Sequence, residues 1–249
     1  PANPYARFGS GQAEEGLRRT VPAPGLPHRY SNFGYQLLGL VLERASGVAY
    51  QELISQRLLD PLAMTCSDTK GSGAGTPLPG HGDRGEVPHW DQPLPGAGGI
   101  DATIGDMARY ARACLHPPQG PLGTAITAAQ APQVPLGNGI RQALAWEVQA
   151  DGIRFHNGGT GGFCSTVLVD PARDRAVVML ASTGGNWPLV HAAFLALTGG
   201  DPRAARPRPP GPEWDDRARE VIELPVDGRT ADIHARMTAA FQGQVSPSR

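Results

Sequence analysis

The stretch Phe155-His156-Asn157-Gly158-Gly159-Thr160-Gly161-Gly162-Phe163 decides how the chain is organised. Short runs rich in Val, Leu, Ile and Phe lie on both sides of it. Ala143 to Val148 and Ile153 to His156 come before, and Cys164 to Val169 and Ala176 to Ala181 come after. Asp151-Gly152 and Asp170-Pro-Ala-Arg-Asp174 separate these runs with turn chemistry, so the region predicts an antiparallel meander of three or four strands. The four glycines among residues 158–162 allow close approach of another chain and leave backbone N–H groups for a ligand. A wide hairpin turn is the structural alternative. That alternative leaves unexplained why a histidine and an asparagine immediately precede the glycines on an apolar strand.

Outward from the meander the period changes to that of helices. In Tyr35 to Gly47, Leu37, Leu38, Val41, Leu42 and Ala45 recur at helical spacing, and Gly47 stands where a C′ glycine belongs. Gly11 to Arg19 reads as a short polar helix. Ala49 to Leu59 reads as a second apolar one that stops at Asp60-Pro61. Residues 65–99 are loop-rich. Thr103 or Asp101 caps a helix running to Leu115, and residues 125–131 form one more short turn of helix. An apolar helix, Pro188 to Leu197, ends at Gly199-Gly200. This order predicts an α+β fold: an antiparallel sheet flanked by helices, with a mainly helical, loop-rich region beside it. The main domain is expected over 1–198, a Pro/Arg-rich linker over 199–212, and an appendage over 213–249 carrying one helix, Ala231 to Phe241.

Composition narrows the function classes. In 249 residues, Lys+Arg is 22 and Asp+Glu is 23, a net charge of −1, which argues against a nucleic-acid partner. With 40% hydrophobic and 18% charged residues the chain can bury a core, and no apolar run has the length of a membrane helix. Lys70 is the only lysine; it lies between Thr69 and Gly71, so a P-loop is excluded. Cys66, Cys114 and Cys164 are odd in number and far apart, and read as small buried hydrophobes. His81 and His89, eight apart in a glycine-rich loop, set no metal geometry, so neither metal nor cofactor is expected. The chain begins Pro-Ala-Asn-Pro without a methionine or an apolar leader, and is expected to be a processed product or a fragment.

Tyr30-Ser31-Asn32 is the second concentration of polar chemistry. It reads as a helix cap by Ser31 or Asn32 with a packing tyrosine. It also reads as a tyrosine poised for proton transfer, beside an amide able to bind a carbonyl.

Taken in order, four segments resemble the serine beta-lactamase-like family: class C beta-lactamases, penicillin-binding DD-peptidases and related esterases. Tyr30-Ser-Asn32 with Tyr35-Gln-Leu-Leu-Gly39 is similar to the family's Tyr-x-Asn motif and its helix, and Leu59-Asp-Pro-Leu-Ala-Met-Thr65 to the segment closing the next helix. Gly96-Ala-Gly-Gly-Ile-Asp-Ala-Thr103 with Asp106-Met-Ala-Arg109 resembles an Ala-Gly-Gly-x-x-Ser-Thr-x-x-Asp-Met stretch. His156-Asn-Gly158 stands in place of Lys-Thr-Gly. The family's Ser-x-x-Lys nucleophile motif, which precedes Tyr-x-Asn, has no counterpart before Tyr30. Ser67-Asp-Thr-Lys70 fits the pattern but follows Tyr30 and leads into Gly71-Ser-Gly73 rather than a helix. The N-terminal strands and the nucleophile helix are therefore expected to be missing from this sequence.

The resemblance implies roles for the complete protein. The serine attacks a carbonyl and the lysine takes its proton. Tyr30 shares the relay, its pKa lowered by neighbouring cations, and protonates the leaving group. Gly159 N–H completes the oxyanion hole. Asn32, with Asn157 and Gly158, binds the substrate. His156 replaces a permanent cation by a group titrating near ~6.5, which shifts the expectation from penicillins towards esters or peptides. The partner is then a small-molecule or peptide substrate. Three readings stay open: a serine hydrolase, a non-catalytic peptide- or ligand-binding protein on the same fold, and Ser67 with Lys70 acting as the nucleophile pair. Family members are often exported; compartment and oligomeric state are left open.

Overall fold

The computed structural model describes residues 3, 5–19, 28–69, 78–82, 85–184 and 187–202. The appendage helix Ala231 to Phe241 and most of the linker fall outside these residues, as does Lys70. The architecture is α+β, with six strands, β3 to β8, forming one antiparallel sheet in sequence order. They are β3 (Val134–Gly137), β4 (Ile140–Gln142), β5 (Glu147–Val148), β6 (Arg154–Gly159), β7 (Cys164–Asp170) and β8 (Arg175–Ala181). A separate ribbon pairs β1 (Gly80–Gly82) with β2 (Gly85–Val87).

The sheet has more strands than the sequence predicts, because a hairpin precedes the expected ones. Val134 to Gln142 makes a hairpin whose turn residues Asn138 and Gly139 both take positive φ, 50° and 76°, as a tight hairpin turn requires. The expected strand Ala143 to Val148 shrinks to its last two residues. Ala145 sits at φ 65° in a turn closed by Ala143 N–H donating to the Trp146 carbonyl.

Alternation along β7 builds two cores. Val167 and Val169 face Trp146, Val148 and the helices α4 (Ile104–Leu115) and α5 (Pro121–Ala129). Leu168 faces the other way, onto Ala193 and Leu197 of α6 (Trp187–Thr198), with Phe155 and Phe194 edge to face at 5.2 Å. Each such side chain contributes roughly 1.5–3 kcal/mol when fully buried. Thr103, rather than Asp101, caps α4 by accepting from Asp106 N–H.

Three other helices are α1 (Ser10–Arg19), α2 (Asn32–Ser46), which Tyr30-Ser31-Asn32 leads into, and α3 (Tyr50–Ile54). The expected helix Ala49 to Leu59 starts as α3 but widens into a π turn over Ser55–Leu59, closed by Asp60 N–H to the Ser55 carbonyl. Ser31 caps α2 by accepting from Gly34 N–H, and Gly47 ends it at φ 68°. The apolar stripe of α2 is largely exposed beyond the half-buried Leu37: Leu38 is 46% and Val41 57% accessible. The helix instead buries Gln36, Gly39 and Leu40. Gly96 has no side chain, so its backbone can approach α2 closely; a Cβ there would lie 2.5 Å from the Tyr35 carbonyl oxygen.

The Ser67 hydroxyl donates to Asp106 at 2.8 Å and is buried, so it serves as an anchor for the α4 N-terminus. Asp106, itself 1% exposed, also accepts from Cys66 N–H and Arg109. Among the cysteines, Cys114 and Cys164 are buried, whereas Cys66 is only half-buried. Burial pushes the Cys114 thiol up to about 11, against the lowering effect of its hydrogen bond with Tyr110.

Candidate functional site

Tyr30 and His156 reach one place from opposite parts of the chain. The capping turn at Ser31 presents Tyr30 at the α2 N-terminus, 65% exposed. His156 lies on β6 opposite Val167 of β7. The two rings stack at 6.4 Å between centroids and 25° between planes. They border a cavity of about 150 Å³ whose wall includes Arg29, Tyr35, Gln142 and Glu147.

The strand itself offers a further contact. Along β6, β5 reaches only Arg154 and Phe155, so among the described residues the edge of β6 from His156 to Gly159 has no strand neighbour on that side. An extended ligand can hydrogen-bond along such an edge. Gly159 ends the strand in an exposed position. Gly158 cannot take a side chain without displacing Ser165, whose Oγ would lie 2.7 Å from its Cβ.

Proton affinities in the cavity follow from burial. Tyr30, though largely exposed, is raised above the ordinary phenol value, first by partial desolvation of its hydroxyl and then by Tyr5, Tyr35 and Glu147. The described residues do not produce the lowering by cations expected for the complete protein: the groups acting on this phenol here are neutral or acidic, so it keeps its proton at pH 7. His156 is lowered because burial disfavours the imidazolium; Glu147 and a backbone hydrogen bond at Asn157 oppose this only in part. Its imidazole is neutral at pH 7.

A family model of beta-lactamases matches residues 4–198. The chain belongs to the beta-lactamase family. The protein flp of Staphylococcus aureus is 25% identical over 177 residues, covering 66% of this chain and 35% of that protein. The unguisins hydrolase ungD of Aspergillus violaceofuscus is 26% identical over 206 residues, covering 66% of this chain and 36% of that protein. The chain thus spans about a third of the length of these curated relatives. A penicillin-binding protein homologue from Pyrococcus abyssi superposes with TM-score 0.65 at 23% identity, over 77% of this chain and 48% of that one. A class C beta-lactamase superposes with TM-score 0.62, also at 23% identity, over 71% and 60% of the two chains. These likenesses establish the beta-lactamase/transpeptidase fold.

Within this beta-lactamase-family domain the residues singled out from sequence divide. Tyr30 and His156 meet. Asn32 opens α2, half-buried, with its Nδ2 at a long 3.5 Å from the Tyr5 hydroxyl, and does not border the Tyr30–His156 cavity. Asn157 shares the α6 face with Phe155 by strand alternation, opposite to His156. Gly161 and Gly162 are explained by packing. Gly162 lies against Gly80 and Val87 of the β1–β2 ribbon, and a Cβ on Gly161 would lie 2.7 Å from Trp90 Nε1. His81 and His89 do not converge on a metal: His81 Nδ1 contacts the Ser182 carbonyl and His89 bonds Asp101. Glu147 was missed. Its only signal is a charged residue set between Trp146 and Val148 in an apolar run.

Proposed function

We propose that this beta-lactamase-family domain is part of a serine hydrolase working through an acyl-enzyme on ester or amide substrates. Its nucleophilic serine and proton-accepting lysine lie outside these 249 residues. The stacked Tyr30–His156 pair beside the unpaired edge of β6 is the observation that carries this proposal. Serine Oγ adds to the substrate carbonyl carbon and its proton passes to the lysine. The tetrahedral intermediate collapses as Tyr30 O–H donates to the leaving group and takes back a proton from the lysine ammonium; water then adds to the acyl carbon and releases the acid, returning the serine its proton. A phenol that keeps its proton suits this donor half of the relay. Gly159 N–H supports the developing oxyanion, a donor whose loss costs roughly 10²–10³ in rate. The cavity beside the pair holds one part of the substrate, and Asn32, which stands outside it, would with the Gly158 backbone orient the part that extends beyond. Residues 1–198 would form the hydrolase domain, followed by a linker and an appendage.

A non-catalytic peptide binder on the same fold is the second reading, and the unpaired edge of β6 favours it equally. Sequencing the gene upstream of the codon for Pro1 separates the two. A Ser-x-x-Lys there, in a product in which Tyr30→Phe cuts turnover of an activated ester by about 10²-fold or more with folding unchanged, supports the hydrolase. A start codon at that point, or unchanged turnover, removes it.

A further inference from the structure

The cavity under Tyr30 and His156 carries an unexpected charge pattern for a site that would take a substrate carboxylate. Glu147 borders it, half-buried in β5, and its charge acts on both rings. His156 supplies no positive charge at pH 7. Arg29 and His28 also border the cavity, but both are exposed, where water and salt screen a side chain most effectively. The groups acting on Tyr30 include Glu147 and not Arg29. A carboxylate entering here gives up hydration, meets a half-buried negative charge, and finds no buried cation among the described residues that line the cavity. A neutral group escapes that cost, and an ammonium gains from Glu147.

We infer that Glu147 is a specificity-determining residue that directs this cavity towards neutral or cationic ester and amide substrates and against carboxylate-bearing ones. The inference rests on the cavity being the substrate site, as proposed above. It separates from the histidine-for-lysine exchange at position 156, which removes an attraction; Glu147 adds a repulsion, so the two predict different variants.

Three matched probes test it on the whole chain: phenylacetylglycine, its glycinamide, and N-(2-aminoethyl)phenylacetamide, which are anionic, neutral and cationic at pH 7. Titrated calorimetrically, the amide and the amine should bind about tenfold or more tightly than the acid, and E147Q should reduce that gap about tenfold. Raising the salt to roughly 0.5 M should narrow the gap in the unaltered chain, a readout that needs no variant. Equal affinities for the three probes, or a gap that E147Q and salt leave intact, overturn the inference while leaving the site assignment standing, provided Tyr30→Ala weakens all three. Failure of every probe to bind, or binding indifferent to Tyr30→Ala, overturns the site assignment and the inference together.

Discussion

His89 and His156 are the same residue in one domain, each near carboxylates, and they move in opposite directions. His89 bonds Asp101 through Nε2 at 3.0 Å, while its Nδ1 is 3.6 Å from Asp91. Burial would lower its pKa, but hydrogen bonds and charge from Asp101 and then Asp91 prevail and raise it. His156 stacks on a tyrosine and feels Glu147 only through space, so burial prevails and lowers it. A carboxylate in hydrogen-bond contact outweighs partial burial, whereas one acting at a distance does not. His89 is thus built as half of an ion pair and His156 as a neutral ring.

The sharpest way to break this contrast is Asp101→Asn. It removes the contacting carboxylate and leaves Asp91. The His89 pKa should fall towards ~6.5 or below, with His156 unmoved, as followed by ring-proton NMR titration. The loop itself should hold, because the two hydrogen bonds that join Asp101 to Asp68 are backbone ones that the substitution keeps. An unmoved His89 titration would show that direct contact is not what sets it.

The two regions also differ in how far the sequence exposes them. The runs Cys164 to Val169 and Ala176 to Ala181 become β7 and β8 nearly residue for residue, since apolar, β-branched runs bounded by turns have few other ways to bury both faces. The Asn138-Gly139 hairpin is as legible, since that dipeptide is a hairpin-turn signal between short apolar runs. The exposed stripe of α2 marks a different limit. Periodicity predicts that a helix has an apolar side, but close backbone approach at Gly39 and Gly96 decides which side packs, and neither glycine announces its partner. The same holds for Gly161 and Gly162, whose neighbours Trp90 and Gly80 belong to a distant segment. Tyr30 and His156 could be linked from the sequence only through the order of family motifs. Glu147 belongs to no motif, and the proton states followed from burial that the sequence does not display.

A smaller effect is expected from His156→Gln, which keeps a polar planar side chain but cannot titrate. A histidine whose folded pKa lies below its unfolded value of ~6.5 binds fewer protons folded than unfolded. Stability therefore rises with pH across that window, and is lost as pH falls below ~6.5 towards the folded pKa. His89 has the opposite sign: its contribution is complete below ~6.5 and fades as pH rises through its raised value. Denaturant titrations at several pH values should show the acid-side loss reduced in His156→Gln, with the alkaline-side loss from His89 retained. An unaltered acid-side slope would mean that His156 is not the group responsible.

The smallest effect, and the most specific, belongs to Glu147→Gln. Glu147 raises Tyr30 by making the phenolate costlier, and raises His156 by stabilising the imidazolium. Both effects come from one negative charge, so removing it should lower both pKa values, moving His156 further from 6.5 and Tyr30 back towards 10. Burial heads the causes at each site, so the shifts should be modest: Tyr30 stays above its ordinary value and His156 stays below its own. His89, held by Asp101, should not respond, which makes it an internal control in the same NMR titration. Opposite shifts at Tyr30 and His156 would point to a rearranged stack instead of a lost charge. A matching shift at His89 would point to a global change in the fold. Parallel lowering confined to Tyr30 and His156 is the outcome that identifies Glu147 as the shared source of field in the cavity.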